Sequence, residues 1–314
     1  MIAILLKKMK RKFCKDSVLH IYQRTISGFN LFYCYEDFLS FYTIVSIQAR
    51  RFRIDLLGMC LMIDHVHLLL KADNLKMLSR FISAYTSIYV REFNAATGRK
   101  GKLFESAYGS AVKSDSKRIR SAIAYLFNNP VEKMLCRRAE EYRWNFLRFC
   151  RPGYILPDGR RSRKLKRAMK IVDAAYRDER HLNNRLIKNL LDNLDESERN
   201  YLTDHIIKVF LPFNIAELTG YYKSFEEMII AIESNTGSEY DISEKHYCKT
   251  DAPYRNIIRY LNDAGLKDIR SVIIMPENIK RQYLTRLKSA TPASYTQIKK
   301  FLHLDGTQPE HLKH

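Results

Sequence analysis

Between Val18 and Asn128 strand-forming and helix-forming segments alternate, and beyond Phe149 every segment with a regular apolar period is helical. That order leaves few architectures open. Val18 to Ile26 is short, rich in β-formers and stopped by Ser27-Gly28, as a strand and a turn require. Glu36 to Phe52 carries Phe38, Phe41, Tyr42, Val45 and Ala49 at helical spacing and ends near Arg50-Arg51, cations that suit a helix C-terminus. Ile54 to Ile63 and His65 to Lys71 read as two strands with a tight connection near Met62 to Asp64, or as one long bent strand. Leu75 to Ala96 is a long helix closed by Thr97-Gly98, and Leu103 to Val112 is a further strand. Asp115 caps a helix predicted over Ser116 to Asn128, ending ahead of Pro130 because the residue before a proline disfavours helix.

The economical way to bury these helices is a single antiparallel sheet with helices mainly on one face, an α+β, ferredoxin-like layout. Pro152, Gly153, Pro157 and Gly159 then punctuate the chain ahead of a dense basic run from Arg160 to Lys170. This predicts a first domain over 1–150, a basic linker over 151–170 and an α-helical C-terminal region over 171–314. Helices are expected there at Ala174–Leu194, Glu196–Val209, Phe225–Glu233, Tyr254–Ala264, Asn278–Lys288 and Tyr295–Leu302. The last three, with Pro292-Ala293-Ser294 as a break, fit a helix-turn-helix or any other small bundle.

Charge narrows the partners. Lys and Arg outnumber Asp and Glu by 54 to 34, a formal charge of +20, and polyanions complement such a surface. No stretch approaches the roughly 20 apolar residues a spanning helix needs, so no membrane is expected. The apolar run Ile2 to Leu6 precedes its lysines, the reverse of a secretory signal. Six scattered cysteines without a C-x-x-C pair suggest neither a zinc ribbon nor a disulfide framework, and a reduced, cytoplasmic setting is expected.

The chemistry concentrates in Met62-Ile63-Asp64-His65-Val66-His67-Leu68-Leu69-Leu70. On a strand, residues two apart face the same way, so His65 and His67 present adjacent imidazoles while Val66 faces the core. An isolated H-x-H is more often a pair of polar positions on a half-exposed strand. Here a second half is available: Tyr125 and Asn129 stand one helical turn apart and share a face. The Asn129 amide oxygen could complete a site of two nitrogens and one oxygen, leaving room for water and a substrate phosphate beside Tyr125. A phenol with its pKa near 10 needs a nearby cation to act as a nucleophile at neutral pH.

His-Val-His followed by three leucines, with the later Tyr125-x-x-x-Asn129-Pro130-Val131, resembles the single-tyrosine HUH transposases, in particular the REP-associated (IS200-like) group. The likeness extends to His20-Ile-Tyr-Gln-Arg24, Gly101-Lys-Leu-Phe104-Glu105 and Trp144, over the first half of the chain. It implies a ferredoxin-like HUH fold and cleavage and rejoining of single-stranded DNA near hairpins, in DNA transposition or a domesticated version of it. It also implies a covalent 5′-phosphotyrosine on Tyr125, with His65, His67 and Asn129 holding Mg2+ or Mn2+. Two departures stand out: the family commonly has Pro-Asn where this chain has Ile63-Asp64, and Trp-Gln where it has Phe104-Glu105.

Candidate phosphate contacts are Arg24, Arg99, Lys100, Lys102, Lys113, Lys117, Arg118 and Arg120, each alone equally a solvated surface charge. A homodimer is among the assemblies such a chain could form. The alternative reading is a catalytically silent single-stranded DNA- or RNA-binding protein of the same fold. Against it, the strand motif of RNA-binding domains is absent, and a pure binder has no need for two histidines, a tyrosine and an asparagine in this order.

Overall fold

A computed structural model describes residues 13–105, 108–157, 161–235 and 250–304. The lead-in Met1 to Lys12, Gly159-Arg160 and Cys248 lie outside them. The first half runs β1 (Val18–Arg24), α1 (Tyr35–Arg51), β2 (Asp55–Leu61), β3 (His65–Lys71), α2 (Leu75–Thr97), β4 (Gly109–Lys113) and α3 (Ser116–Glu132). The four strands form one sheet in the order β2-β3-β1-β4, antiparallel throughout. This is the expected ferredoxin-like arrangement, with its two central strands joined to the outer ones by helical and hairpin connections.

Alternation along the strands sorts the two faces. Cross-strand partners lie on the same side of a sheet, so Leu19, Ile21 and Gln23 of β1 share a face with Leu70, Leu68 and Val66 of β3. That face carries α2, whose Tyr85 and Thr86 hydrogen-bond Gln23, and α1, packed against α2. The other face holds His20, Tyr22, His65 and His67 and is crossed by α3, so the helices lie mainly, two of three, on one side. Asn74 caps α2 by accepting from Met77 N at 2.8 Å, and Gly98 closes it in the left-handed region at φ 73°. Asp115 caps α3, accepting from Arg118 N at 2.9 Å.

Two local expectations change. Helix α3 does not stop before Pro130 but runs through it to Glu132. Asn129 and Pro130 are buried, and the last turn is closed by Lys133 N donating to Asn129 O at 3.1 Å and Leu135 N to Pro130 O at 2.9 Å, so packing overrides the local preference. Among the described residues of the strand expected over Leu103 to Val112, only those of β4 form regular strand, although Phe104 forms an isolated bridge to Thr25.

The second half contains α4 (Arg163–Arg177), α5 (Asn184–Leu191), α6 (Glu196–Val209), α7 (Ile215–Gly220), α8 (Phe225–Glu233), α9 (Pro253–Asp263), α10 (Glu277–Ala290) and α11 (Tyr295–Leu302). The basic run after Arg160 becomes the first turns of α4. The single helix expected over Ala174–Leu194 is two, α4 and α5, with Glu179 at φ 53° reversing the chain. Arg51 donates to Glu179 O at 2.7 Å, and Leu182 N donates to the Thr43 hydroxyl at 3.1 Å, so the buried Leu182 continues the apolar pattern without continuing the helix.

These helices pack back on the first half through one continuous apolar core. Tyr42 Oη donates to Ile207 O at 2.8 Å, and Asn214 N donates to Leu56 O at 2.8 Å along the edge of β2. Arg270 pairs with the fully buried Asp37 at 3.3 Å; burial pushes the Asp37 pKa up to about 6 while Arg270 works against the rise. No helix among the described residues is long and apolar enough to cross a membrane, and none of Cys14, Cys34, Cys60, Cys136 and Cys150 is in a disulfide.

Candidate active site

The register of β3 sets the site. His67 stands between Tyr22 of β1 and Cys60 of β2, and His65 lies opposite Arg24, so both imidazoles project from the face that α3 covers. Close approach of that helix depends on Gly58, where an added Cβ would meet the Phe127 ring at 3.0 Å. Tyr125 thereby rests against the sheet, its ring centroid 5.8 Å from that of His67 and 5.9 Å from that of His20. The His65 and His67 rings are 4.9 Å apart and almost perpendicular.

Each histidine is held through Nδ1. His65 Nδ1 lies 2.6 Å from Asp64 Oδ1, and His67 Nδ1 lies 3.0 Å from His20 Nε2. Contact through Nδ1 is the usual way a neighbouring group orients a ligating histidine. Asn129, on the face of α3 that carries Tyr125, is 2% exposed, and its Oδ1 accepts no hydrogen bond among the described residues. A buried amide oxygen without a donor is costly unless a ligand satisfies it. Two imidazole nitrogens and that oxygen suit a divalent ion of the Mg2+ or Mn2+ class with further positions open. No group of three histidine, cysteine or carboxylate side chains suited to a metal occurs among the described residues.

Charge around the site is balanced by groups from distant sequence. Burial would raise the Asp64 pKa, but the hydrogen bond and charge of His65, then Lys300 at 2.9 Å, outweigh it and hold the carboxyl well below the usual range. Asp251, on the segment entering α9, is pushed up to about 6 by burial and then by the charge of Asp64. Glu105, the other departure, is exposed, its backbone N donating to Arg24 O at 2.9 Å.

The cation candidates fall into distinct settings. Lys100, Lys102, Lys117, Arg118 and Arg120 are exposed; Arg118 pairs with its own cap Asp115 at 3.3 Å. Arg24 is half-buried beside the site. Arg99 is half-buried and donates to Asn94 Oδ1 at 3.2 Å and to Gly101 O at 3.1 Å, tying down the loop after α2. Lys113 is 1% exposed, within the sheet. Sequence reasoning overlooked His20 and Lys300 as site residues. Strand alternation places His20 on the His67 face once β1 is paired with β3; nothing local marks Lys300, which is 236 residues from Asp64.

Residues 6–129, well under half of the chain, match the family described as transposase IS200-like, a range that contains His65, His67, Tyr125 and Asn129. No curated protein matches the chain. A solved structure of a REP-associated tyrosine transposase bound to a REP hairpin aligns with 50% of this chain and 93% of its own, at 12% identity and a TM-score of 0.38, too loose a likeness to support an argument.

Proposed function

With residues 6–129 falling in the IS200-like transposase family, we propose that this chain cleaves and rejoins single-stranded DNA at or near hairpins, with Tyr125 as its nucleophile. The observation that supports this reading is the clustering of the His65, His67 and Tyr125 rings between one sheet face and α3, with Asn129 buried one turn beyond Tyr125 on the same helix. Tyr125 Oη forms a bond to phosphorus as the bond from phosphorus to the 3′ oxygen breaks. The products are a 5′-phosphotyrosine and a 3′ hydroxyl, the phenolic hydrogen being balanced by the new hydroxyl. Attack of a 3′ hydroxyl on the phosphotyrosine reverses the step and rejoins the strand.

A Mg2+ or Mn2+ ion held by His65, His67 and Asn129 would supply positive charge to the scissile phosphate and help hold it in line. The protein's own part is orientation. Asp64 and His20 fix the two imidazoles, and the β3 backbone fixes their spacing. Packing over Gly58 holds α3 against the sheet so that Tyr125 faces the same point. Because Tyr125 is only 3% exposed, part of its cover has to move before a phosphodiester reaches it. The exposed cations on α3 and after α2 would guide the strand through contacts with its backbone.

The test is incubation of labelled single-stranded hairpin oligonucleotides with the protein and Mn2+, followed by denaturing electrophoresis. A covalent adduct that is lost in Tyr125→Phe and with EDTA is expected. An adduct that persists in Tyr125→Phe would contradict the assignment.

A further inference from the structure

Asp64 is a departure from the family pattern and puts a negative charge directly beside His65, yet the chain supplies a matching cation from its far end. Lys300 on α11 reaches Asp64 Oδ2 at 2.9 Å, while the other carboxylate oxygen, Oδ1, lies 2.6 Å from His65 Nδ1. Lys300 is buried and the Asp64 side chain is 22% exposed, so the contact is partly buried rather than a surface pair. Space for it is built in. At Gly28, in the left-handed region at φ 64°, an added Cβ would stand 2.8 Å from Lys300 Cε and 2.9 Å from Nζ.

The helix that carries Lys300 is anchored at several points. Asn30 N donates to Lys300 O at 3.2 Å, and Tyr33 Oη donates to Phe301 O at 2.7 Å. His303 Nε2 lies 3.0 Å from Asn30 O, with its ring stacked on Phe29 at 4.5 Å. The capping box of Ser294 and Gln297 starts α11 at a fixed point, and Gln297 Nε2 donates to Thr250 O at 2.6 Å. Lys300 is therefore delivered by a rigid element, as a group acting on a neighbour's orientation has to be.

We propose that Lys300 is a positioning residue for His65. By holding Asp64 Oδ2 it keeps Oδ1 as acceptor for the His65 Nδ1 hydrogen, so that His65 Nε2 is presented to a divalent cation. This rests on the reading of His65 as a metal ligand. It makes the C-terminal helix part of the active centre, and it pairs the departure at Asp64 with a residue 236 positions away.

The experiment titrates Mn2+ alone into the full-length protein, following free Mn2+ by electron paramagnetic resonance. The parent is compared with Lys300→Met, Asp64→Asn, Asp64→Asn with Lys300→Met, and His67→Ala, with circular dichroism as the check on folding. Lys300→Met is expected to weaken Mn2+ binding about 10- to 100-fold, the usual loss when a group orienting a ligand is removed. Asparagine at 64 can still accept from His65 but carries no charge to hold, so the double variant should bind within about twofold of Asp64→Asn. The double variant also removes the partly buried carboxylate that Lys300→Met leaves without its lysine, and so decides the matter if that single variant does not fold.

A merely structural lysine would weaken the double variant as much as the single one, and that result overturns the proposal. So does a Lys300→Met protein that binds like the parent while His67→Ala does not bind. If the parent fails to bind Mn2+, or His67→Ala binds as well as the parent, the metal reading itself fails and the proposal falls with it.

Discussion

On the proposed reading, Asn129 exchanges stability for function. Its buried Oδ1 has no donor among the described residues, so replacing it removes a cost along with a few contacts. Asn129→Ala is expected to leave the metal-free protein within about 1 kcal/mol of the parent in urea unfolding while abolishing the rise in thermal midpoint that Mn2+ produces. A full Mn2+ shift in Asn129→Ala would remove the amide from the ligand set. The sequence alone pointed to His65, His67, Tyr125 and Asn129, because strand and helix periodicities put each pair on one side. It did not reveal what holds them. His20 becomes visible only when the β1–β3 register is known, and Lys300 only when α11 is docked.

At the scale of elements, the contact between α3 and the sheet matters most. A valine at position 58 would push into Phe127 and Leu126, whose atoms stand 3.0 and 3.4 Å from a Cβ there. Gly58→Val is therefore expected to cost about 1–3 kcal/mol and to slow adduct formation by moving Tyr125 away from the histidines. Denaturant unfolding and single-turnover cleavage would check both effects, and an unchanged cleavage rate would contradict this view of α3. Most elements were legible: α6, α8 and α11 begin and end where the apolar pattern placed them, and of the two readings open for Ile54 to Lys71 the two-strand one holds, with β3 over His65–Lys71. Two of the misreadings share a cause: Pro130 sits inside α3 and Glu179 splits a continuous apolar pattern because burial at Asn129 and Pro130, and the contact of Thr43 with Leu182, outweigh local preference.

Over the whole molecule, the described C-terminal helices act as a clamp on the first half, and two clamp points, at His303 and at Asp37, are titratable. Burial lowers the His303 pKa to about 3, with the Asn30 hydrogen bond opposing and the charges of Arg99 and Lys280 adding to the drop. The fold thus favours neutral His303. Its contribution is complete above the unfolded value near 6.5 and is lost as pH falls from there toward about 3. Asp37 has the opposite sign: its raised value favours the protonated form, so its contribution is lost as pH rises from about 4 to about 6. His303→Asn, which tolerates the left-handed backbone at φ 51°, should flatten the loss of stability between pH 6 and 4 relative to the parent. Parallel slopes for the two proteins in urea unfolding across that range would exclude this role for His303. The net charge of +20 predicts binding to single-stranded DNA that weakens steeply with salt, and a flat dependence would mean that cations contribute little. Neither the clamp nor its pH dependence was readable from local sequence, since His303 and Asn30 are 273 residues apart. The most direct test of Tyr125 as nucleophile is mass spectrometry of the protein trapped on a cleaved hairpin oligonucleotide with Mn2+. A peptide carrying the 5′-phosphorylated nucleotide fragment on Tyr125 is the predicted result, and attachment to any other residue would contradict it.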